Sequence, residues 1–158
     1  MENKEVQKQI VNLLVSNEEG MQYLYEAYAK KFLGYGDFWK GIAKEEESHA
    51  AWIRRLYDKM KAGMADFAER RFPVDALQKS VAYLEEEKKK VDQGEMSLLY
   101  ALETAVHIER GMLEHKFFEV FAADSIELQT VLEALQLGTQ QHLQEVQKMW
   151  EKEKSLIA

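Results

Sequence analysis

Glu46 and His49 stand three residues apart, which on a helix puts a carboxylate and an imidazole on one face about a turn from each other. His142 holds the matching place in the second half of the chain, with Thr139 three residues before it where a second glutamate would fall. Each of these segments is preceded by a recurring tetrapeptide, Glu18-Glu19-Gly20-Met21 in the first half and Glu109-Arg110-Gly111-Met112 in the second. The offset from Glu18 to Glu109 nearly equals that from His49 to His142, so the halves stay in register. Repetition of this kind marks one supersecondary unit used twice, here a helical hairpin with donors on its inner face. Carboxylates and imidazoles without sulfur form the donor set of a divalent cation, favouring iron or manganese and able to hold zinc. The chain has no cysteine, which excludes disulfides, thiolate metal sites and thiol nucleophiles together.

Helical spacing in fours and threes tests whether these donors face a core. In the second of four long segments it selects Trp39, Ile42, Glu46, His49, Ile53, Leu56 and Met60, apolar except for the two candidates. The first gives Val11, Leu14, Glu18, Met21, Tyr25, Tyr28 and Phe32, with Glu18 the single charge and Glu19 turned outward. The fourth gives Leu128, Leu132, Leu135, Thr139, His142, Val146 and Met149. The third is less regular: Leu102, Ala105, Val106, Met112, Leu113, Phe117 and Val120 frame Glu109, and Lys116 sits near the stripe. Glu18, Glu46 and Glu109 gathered in one core repel one another, and each costs several kcal/mol to desolvate without compensation. A cation among them removes both penalties. His107, His115, Glu19, Glu45 and Glu47 fall off the stripes and read as surface residues, as do the runs Glu85 to Lys90 and Glu151 to Lys154. Tyr25 and Tyr28 flank the expected site, where aromatic residues on a core stripe read first as packing.

The elements that must position these residues follow from the breakers. Gly34 and Gly36 separate a helix over 3–33 from one over 37–61. The stretch 62–94, with Gly63 and Pro73, reads as a long crossover holding a short amphipathic helix with Leu77, Val81 and Leu84 on one face. A third helix is predicted over 95–122 and a fourth over 125–155, opened by Asp124 and Glu127 as a capping box. No strand-like alternation intervenes. The fold class is all-α: a ferritin-like four-helix bundle, hairpin 3–61 and hairpin 95–155 joined by the crossover 62–94, in a single domain over 1–158. A chain of 158 residues, 46% hydrophobic and 31% charged, is large enough for one such core. A net charge of −7 without a basic run argues against nucleic acid and anionic membranes as partners. No apolar run reaches the length of a membrane span, and Met1 to Ile10 lack the pattern of a secretory signal, so a cytoplasmic chain is expected.

From about Val11 to Met149, apart from the crossover, the chain resembles the rubrerythrin-like branch of the ferritin-like superfamily. The segment Glu18 to Ala29, with Tyr25, and the run Ile42-Ala43-Lys44-Glu45-Glu46-Glu47-Ser48-His49-Ala50 carry the resemblance, together with a glutamate on helices one and three. It implies a carboxylate-bridged di-iron site. Glu18 and His49 would be terminal ligands of one iron, Glu109 and His142 of the other, and Glu46 the bridge. The second bridging carboxylate belongs at position 139, where this chain has threonine. A single metal held by Glu18, Glu46 and His49 is the competing arrangement, and Glu145, one turn after His142, is the other carboxylate near that position.

The resemblance implies an oxidoreductase that reduces hydrogen peroxide or dioxygen. Without cysteine there is no built-in rubredoxin-like iron site, so electrons would come from a separate donor such as a rubredoxin-like protein. Family members are commonly homo-oligomers, dimers above all. Two other functions are compatible with the same residues: iron oxidation and storage, and a degenerate, non-catalytic bundle acting as a binding module. In the last, the three glutamates are protonated or paired with the histidines or with Lys116.

Overall fold

Helix propensity and the scarcity of breakers produce an almost entirely helical chain. The structure is a computed structural model, and it describes residues 2–61, 65–67, 74–114, 121–123 and 126–157. Among these are helices α1 (Glu2–Lys31), α2 (Gly36–Lys61), α3 (Val74–Gln93), α4 (Leu98–Glu114) and α5 (Ile126–Ile157). Two three-residue strands, β1 (Ala65–Phe67) and β2 (Phe121–Ala123), pair antiparallel, with Ala65 opposite Ala123 and Phe67 opposite Phe121. No helix among the described residues is long and apolar enough to cross a membrane.

The α1–α2 connection is tight because α1 closes cleanly. The Phe32 N–H bonds the Tyr28 carbonyl at 2.9 Å, and a single 3-10 turn, Leu33–Tyr35, carries the chain into α2. Gly36 is itself helical, with φ −56° and ψ −44°, so it opens α2 instead of interrupting the chain. Asp37 in the first turn of α2 and Lys30 and Lys31 in the last turn of α1 oppose the helix dipoles. Lys31 also donates to the carbonyls of Val91 and Gly94, which caps the end of α3 against the end of α1.

Most of the predicted stripe positions are buried: Val11, Leu14, Glu18, Met21, Tyr25 and Tyr28 on α1, Trp39, Ile42, Glu46, His49, Ile53 and Leu56 on α2, Leu102, Ala105, Glu109 and Met112 on α4, Leu135, Thr139, His142 and Val146 on α5, while Phe32, Val106, Leu113, Leu132 and Met149 are half-buried. Close backbone approach is concentrated within the hairpins α1–α2 and α4–α5 and between α1 and α3. Between the hairpins it is sparse, and side chains do the bridging. Trp39 is fully buried, edge-on to Tyr28 with ring centroids 4.8 Å apart and 5.6 Å from Tyr25.

Three features depart from the sequence reading. The helix expected over 95–122 is described only to Glu114, and 121–123 lie in β2, whose backbone groups are satisfied by β1 instead of by a helical turn. The helix expected as a short crossover element is α3, 20 residues long, which buries Leu77, Leu84 and Val91 against α1. Gly20 makes that approach possible, since a Cβ there would lie 3.1 Å from Leu84 Cδ1; Gly111, its counterpart in the repeat, faces open space. Within the run expected to be wholly solvated, Glu87 is buried, bonded to Lys90 Nζ at 2.9 Å and to the Tyr100 hydroxyl at 3.0 Å. The Asp124 cap, His115, Lys116, Phe117 and Val120 lie outside the described residues, as do the side chains of Met60 and Leu128.

Trp39→Ala is expected to cost about 3–5 kcal/mol, the range for emptying a large aromatic site in a packed core. Urea denaturation of the two proteins measures this, and a loss below about 1 kcal/mol would show that Trp39 is not a keystone of the core.

Candidate metal centre

Four helices each contribute to one polar layer in the seam between the hairpins: Glu18 from α1, Glu46 and His49 from α2, Glu109 from α4, Thr139 and His142 from α5, all buried. The side chains form two groups whose donor atoms lie within 4.8 Å of one another, Glu18–Glu46–His49 and Glu46–Glu109–His142. Glu46 belongs to both. Its Oε1 is 2.6 Å from His142 Nδ1 and its Oε2 is 3.4 Å from His49 Nδ1, so one carboxylate faces both imidazoles. Glu18 Oε2 is 3.7 Å from His49 Nδ1, and Glu109 Oε1 is 3.6 Å from His142 Nδ1. The two rings are nearly parallel, 5.5 Å apart at an interplanar angle of 25°.

The donors are under-satisfied by the protein alone. Both oxygens of Glu18, Glu109 Oε2 and His49 Nδ1 are buried without a hydrogen-bond partner. Buried polar groups are nearly always paired, and charged ones cost most when they are not. Such a concentration of unpaired oxygen and nitrogen atoms on converging side chains fits a divalent cation in each group.

Protons partly take that place in the metal-free protein. Burial pushes the Glu18 carboxyl well above its ordinary value, and the neighbouring Glu46 adds to the effect. For His49, burial acts to lower the value, but the Glu18 and Glu46 carboxylates outweigh it and hold the ring up at about 10. For His142, burial is again outweighed, here by Glu109 and Glu46, and the ring is held up at about 12. Both imidazoles are thus cationic at neutral pH.

Thr139, at the place of the expected second bridge, donates its hydroxyl to the Leu135 carbonyl at 3.0 Å, an intrahelical bond that supplies no charge to the centre. Glu145 is exposed and does not join the layer. His107 is exposed as expected and meets the edge of Tyr83. Glu19 turns outward and pairs with Arg54, and Glu47 is exposed.

Glu45 corrects the sequence reading: its side chain is 55% exposed, yet its carboxylate reaches back to His142 Nε2. The Glu45-Glu46-Glu47 triplet contains no signal that this member would reach across to α5. Tyr25 does more than pack: its hydroxyl donates to Glu109 Oε1 at 2.9 Å. Gly138 escaped notice altogether. A Cβ there would fall 2.7 Å from His49 Nε2, so α5 approaches the ring only because residue 138 has no side chain. His49, Trp52 and Gly138 line a cleft of about 360 Å³ between α2 and α5.

A scan against protein-family models found no match to the chain, and searches of curated proteins and of solved structures found none either.

Two outcomes follow from this geometry. His49, His142 and Glu18 all hold protons more tightly in the fold than in the unfolded chain, where the ordinary values are 6.5 and 4.5. Their stabilisation is full below those ordinary values and is lost as pH rises through the folded ones, so the metal-free protein's melting temperature is expected to fall between pH 6.5 and about 10. The stabilisation by an added divalent cation, which competes with the same protons, is expected to grow across that window. Calorimetric melts with and without cation check both signs. Gly138→Ala is expected to displace His49 and cost about 1–3 kcal/mol, as overpacking does; unchanged chemical denaturation together with an unmoved His49 imidazole NMR signal would contradict it.

Proposed function

We propose that the chain is a ferritin-like four-helix bundle of rubrerythrin type, with α3 as the helix of its crossover. Its buried layer holds two iron ions, and the protein reduces hydrogen peroxide or dioxygen with electrons from a separate donor. The observation that carries this reading is the position of Glu46, whose two oxygens face the two histidines and which is shared by both donor groups. A carboxylate that faces both histidines and belongs to both donor groups is the arrangement a bridge between two cations would use.

The residues divide the work as follows. Glu18 and His49 would hold one cation and Glu109 and His142 the other, with Glu46 shared by both groups. An iron pair held there would supply the two electrons that, with two protons, reduce one hydrogen peroxide to two waters. Tyr25 holds Glu109 by Oε1 and leaves Oε2 as the donor atom. Tyr28 and Trp39 are fully buried and pack with Tyr25 beside the layer. Cation binding would compete with protons on His49 and His142, whose Nδ1 atoms Glu46 faces at 3.4 and 2.6 Å. These residues contain no cysteine and so no ligands for a rubredoxin-like centre, and the proposed electron donor is separate from them. The cleft beside His49 would admit a small oxidant.

A competing reading, the non-catalytic bundle, draws support from Thr139 and from the ion pairs that the histidines make with the glutamates. Anaerobic loading with ferrous iron and elemental analysis separate the two. About two irons per chain are expected, lost in a Glu46→Ala, His49→Ala double variant, with reoxidation by stoichiometric peroxide. No bound metal in the wild-type protein would overturn the proposal in favour of the inert bundle; many irons per chain in a large shell would overturn it in favour of storage.

A further inference from the structure

The two halves of the centre use the same donor types, but what stands behind those donors differs. His142 presents Nδ1 to Glu46 and Glu109, and its Nε2 is engaged by Glu45 reaching across from α2. A carboxylate on the far nitrogen selects the tautomer whose Nδ1 lone pair is free to ligate, and it fixes the plane of the ring. Glu109 is oriented in the same sense by the Tyr25 hydroxyl on Oε1, with Oε2 left unpaired.

Among the described residues no hydrogen bond from outside supports the other half, whose His49 ring lies against Trp52 instead. Neither oxygen of Glu18 has a hydrogen-bond partner there, His49 Nδ1 standing 3.7 Å from Oε2. Among the described residues none hydrogen-bonds His49 Nε2, which abuts the backbone of Gly138 where the ring lines the cleft between α2 and α5. Donors held from outside lose less freedom when a cation arrives, so the supported half starts closer to its bound geometry. Glu46 serves both halves, and a cation in one withdraws its negative charge from the other, which separates the two binding events into steps.

We infer that the centre fills in a fixed order: the Glu46–Glu109–His142 half, backed by Glu45 and Tyr25, takes the first and tighter divalent cation, and the Glu18–Glu46–His49 half takes the second. This rests on the metal-binding reading above. Glu45 and Tyr25 are positioning residues, since neither belongs to either donor group.

The metal-free protein is titrated at neutral pH with Zn²⁺ by calorimetry and with Co²⁺ by its visible absorption. Two steps of one cation each are expected, with dissociation constants at least about tenfold apart. Glu109→Ala is expected to remove the tight step, and Glu18→Ala the weak one alone. Glu45→Ala and Tyr25→Phe are each expected to weaken the tight step by about 10–100-fold, the usual effect of removing an outer-shell partner, and to leave the weak step in place. Glu45 is on the surface, so its variant decides the matter even where a buried variant fails to fold. Loss of the tight step in Glu18→Ala, two indistinguishable steps in the wild type, or a tight step unmoved in both Glu45→Ala and Tyr25→Phe would overturn the order. Wild-type protein that binds neither cation would overturn the metal-binding reading itself, and the order with it; two cations bound in the wrong order would overturn the order alone.

Discussion

The carboxylate of Glu46 joins the two hairpins at the level where neither has an apolar side chain to offer. Everything around it is arranged to make that burial tolerable. His49 on its own helix and His142 on α5 face its two oxygens, and Glu18 and Glu109 face the histidines in turn. An isolated carboxylate here would cost several kcal/mol, and three of them would cost more through mutual repulsion. The layer is therefore compensated in one of three ways: protons on the carboxyls, protons on the histidines, or cations between the donors.

The scaffold packs its helices closely within the hairpins and leaves the seam to be bridged by side chains. α1 is pinned to α3 by Gly20 against Leu84 and by Lys31 across the end of α3, and to α2 by the tight turn through Tyr35. Tyr25, Tyr28 and Trp39 form a contiguous aromatic block beside the layer. Only one of these aromatic residues has a polar task in the layer: the hydroxyl of Tyr25 reaches Glu109, so the block both excludes water and orients a donor.

Much of this was legible in the residue order because a polar residue on an apolar stripe is conspicuous. Glu18, Glu46, His49 and His142 each interrupt a run of core positions at helical spacing, and Glu109 does so on a less regular stripe; the structure buries all five. What escaped depends on geometry that spacing does not encode. Glu45 is exposed by its helical position and reaches His142 only because α5 passes alongside. Gly138 matters through a distance to another helix, not through anything it carries. Glu87 is different: it continues the stripe of Leu77, Leu84 and Val91, so its burial was written in the spacing and hidden by the charges around it. β1 and β2 are too short for alternation to reveal, and each is a strand only because the other is present.

Sequence separation gives the layer a history as well as a geometry. Glu46 and His142 are 96 residues apart and Tyr25 and Glu109 are 84 apart, so the contacts that join the hairpins demand closure of long loops, whereas Glu18, Glu46 and His49 all lie within the first hairpin. The Glu18–Glu46–His49 group is thus closed by local contacts within one hairpin, whereas the Glu46–Glu109–His142 group exists only where the two hairpins meet. Any opening of the seam would dismantle the second group while leaving the first intact on α1 and α2.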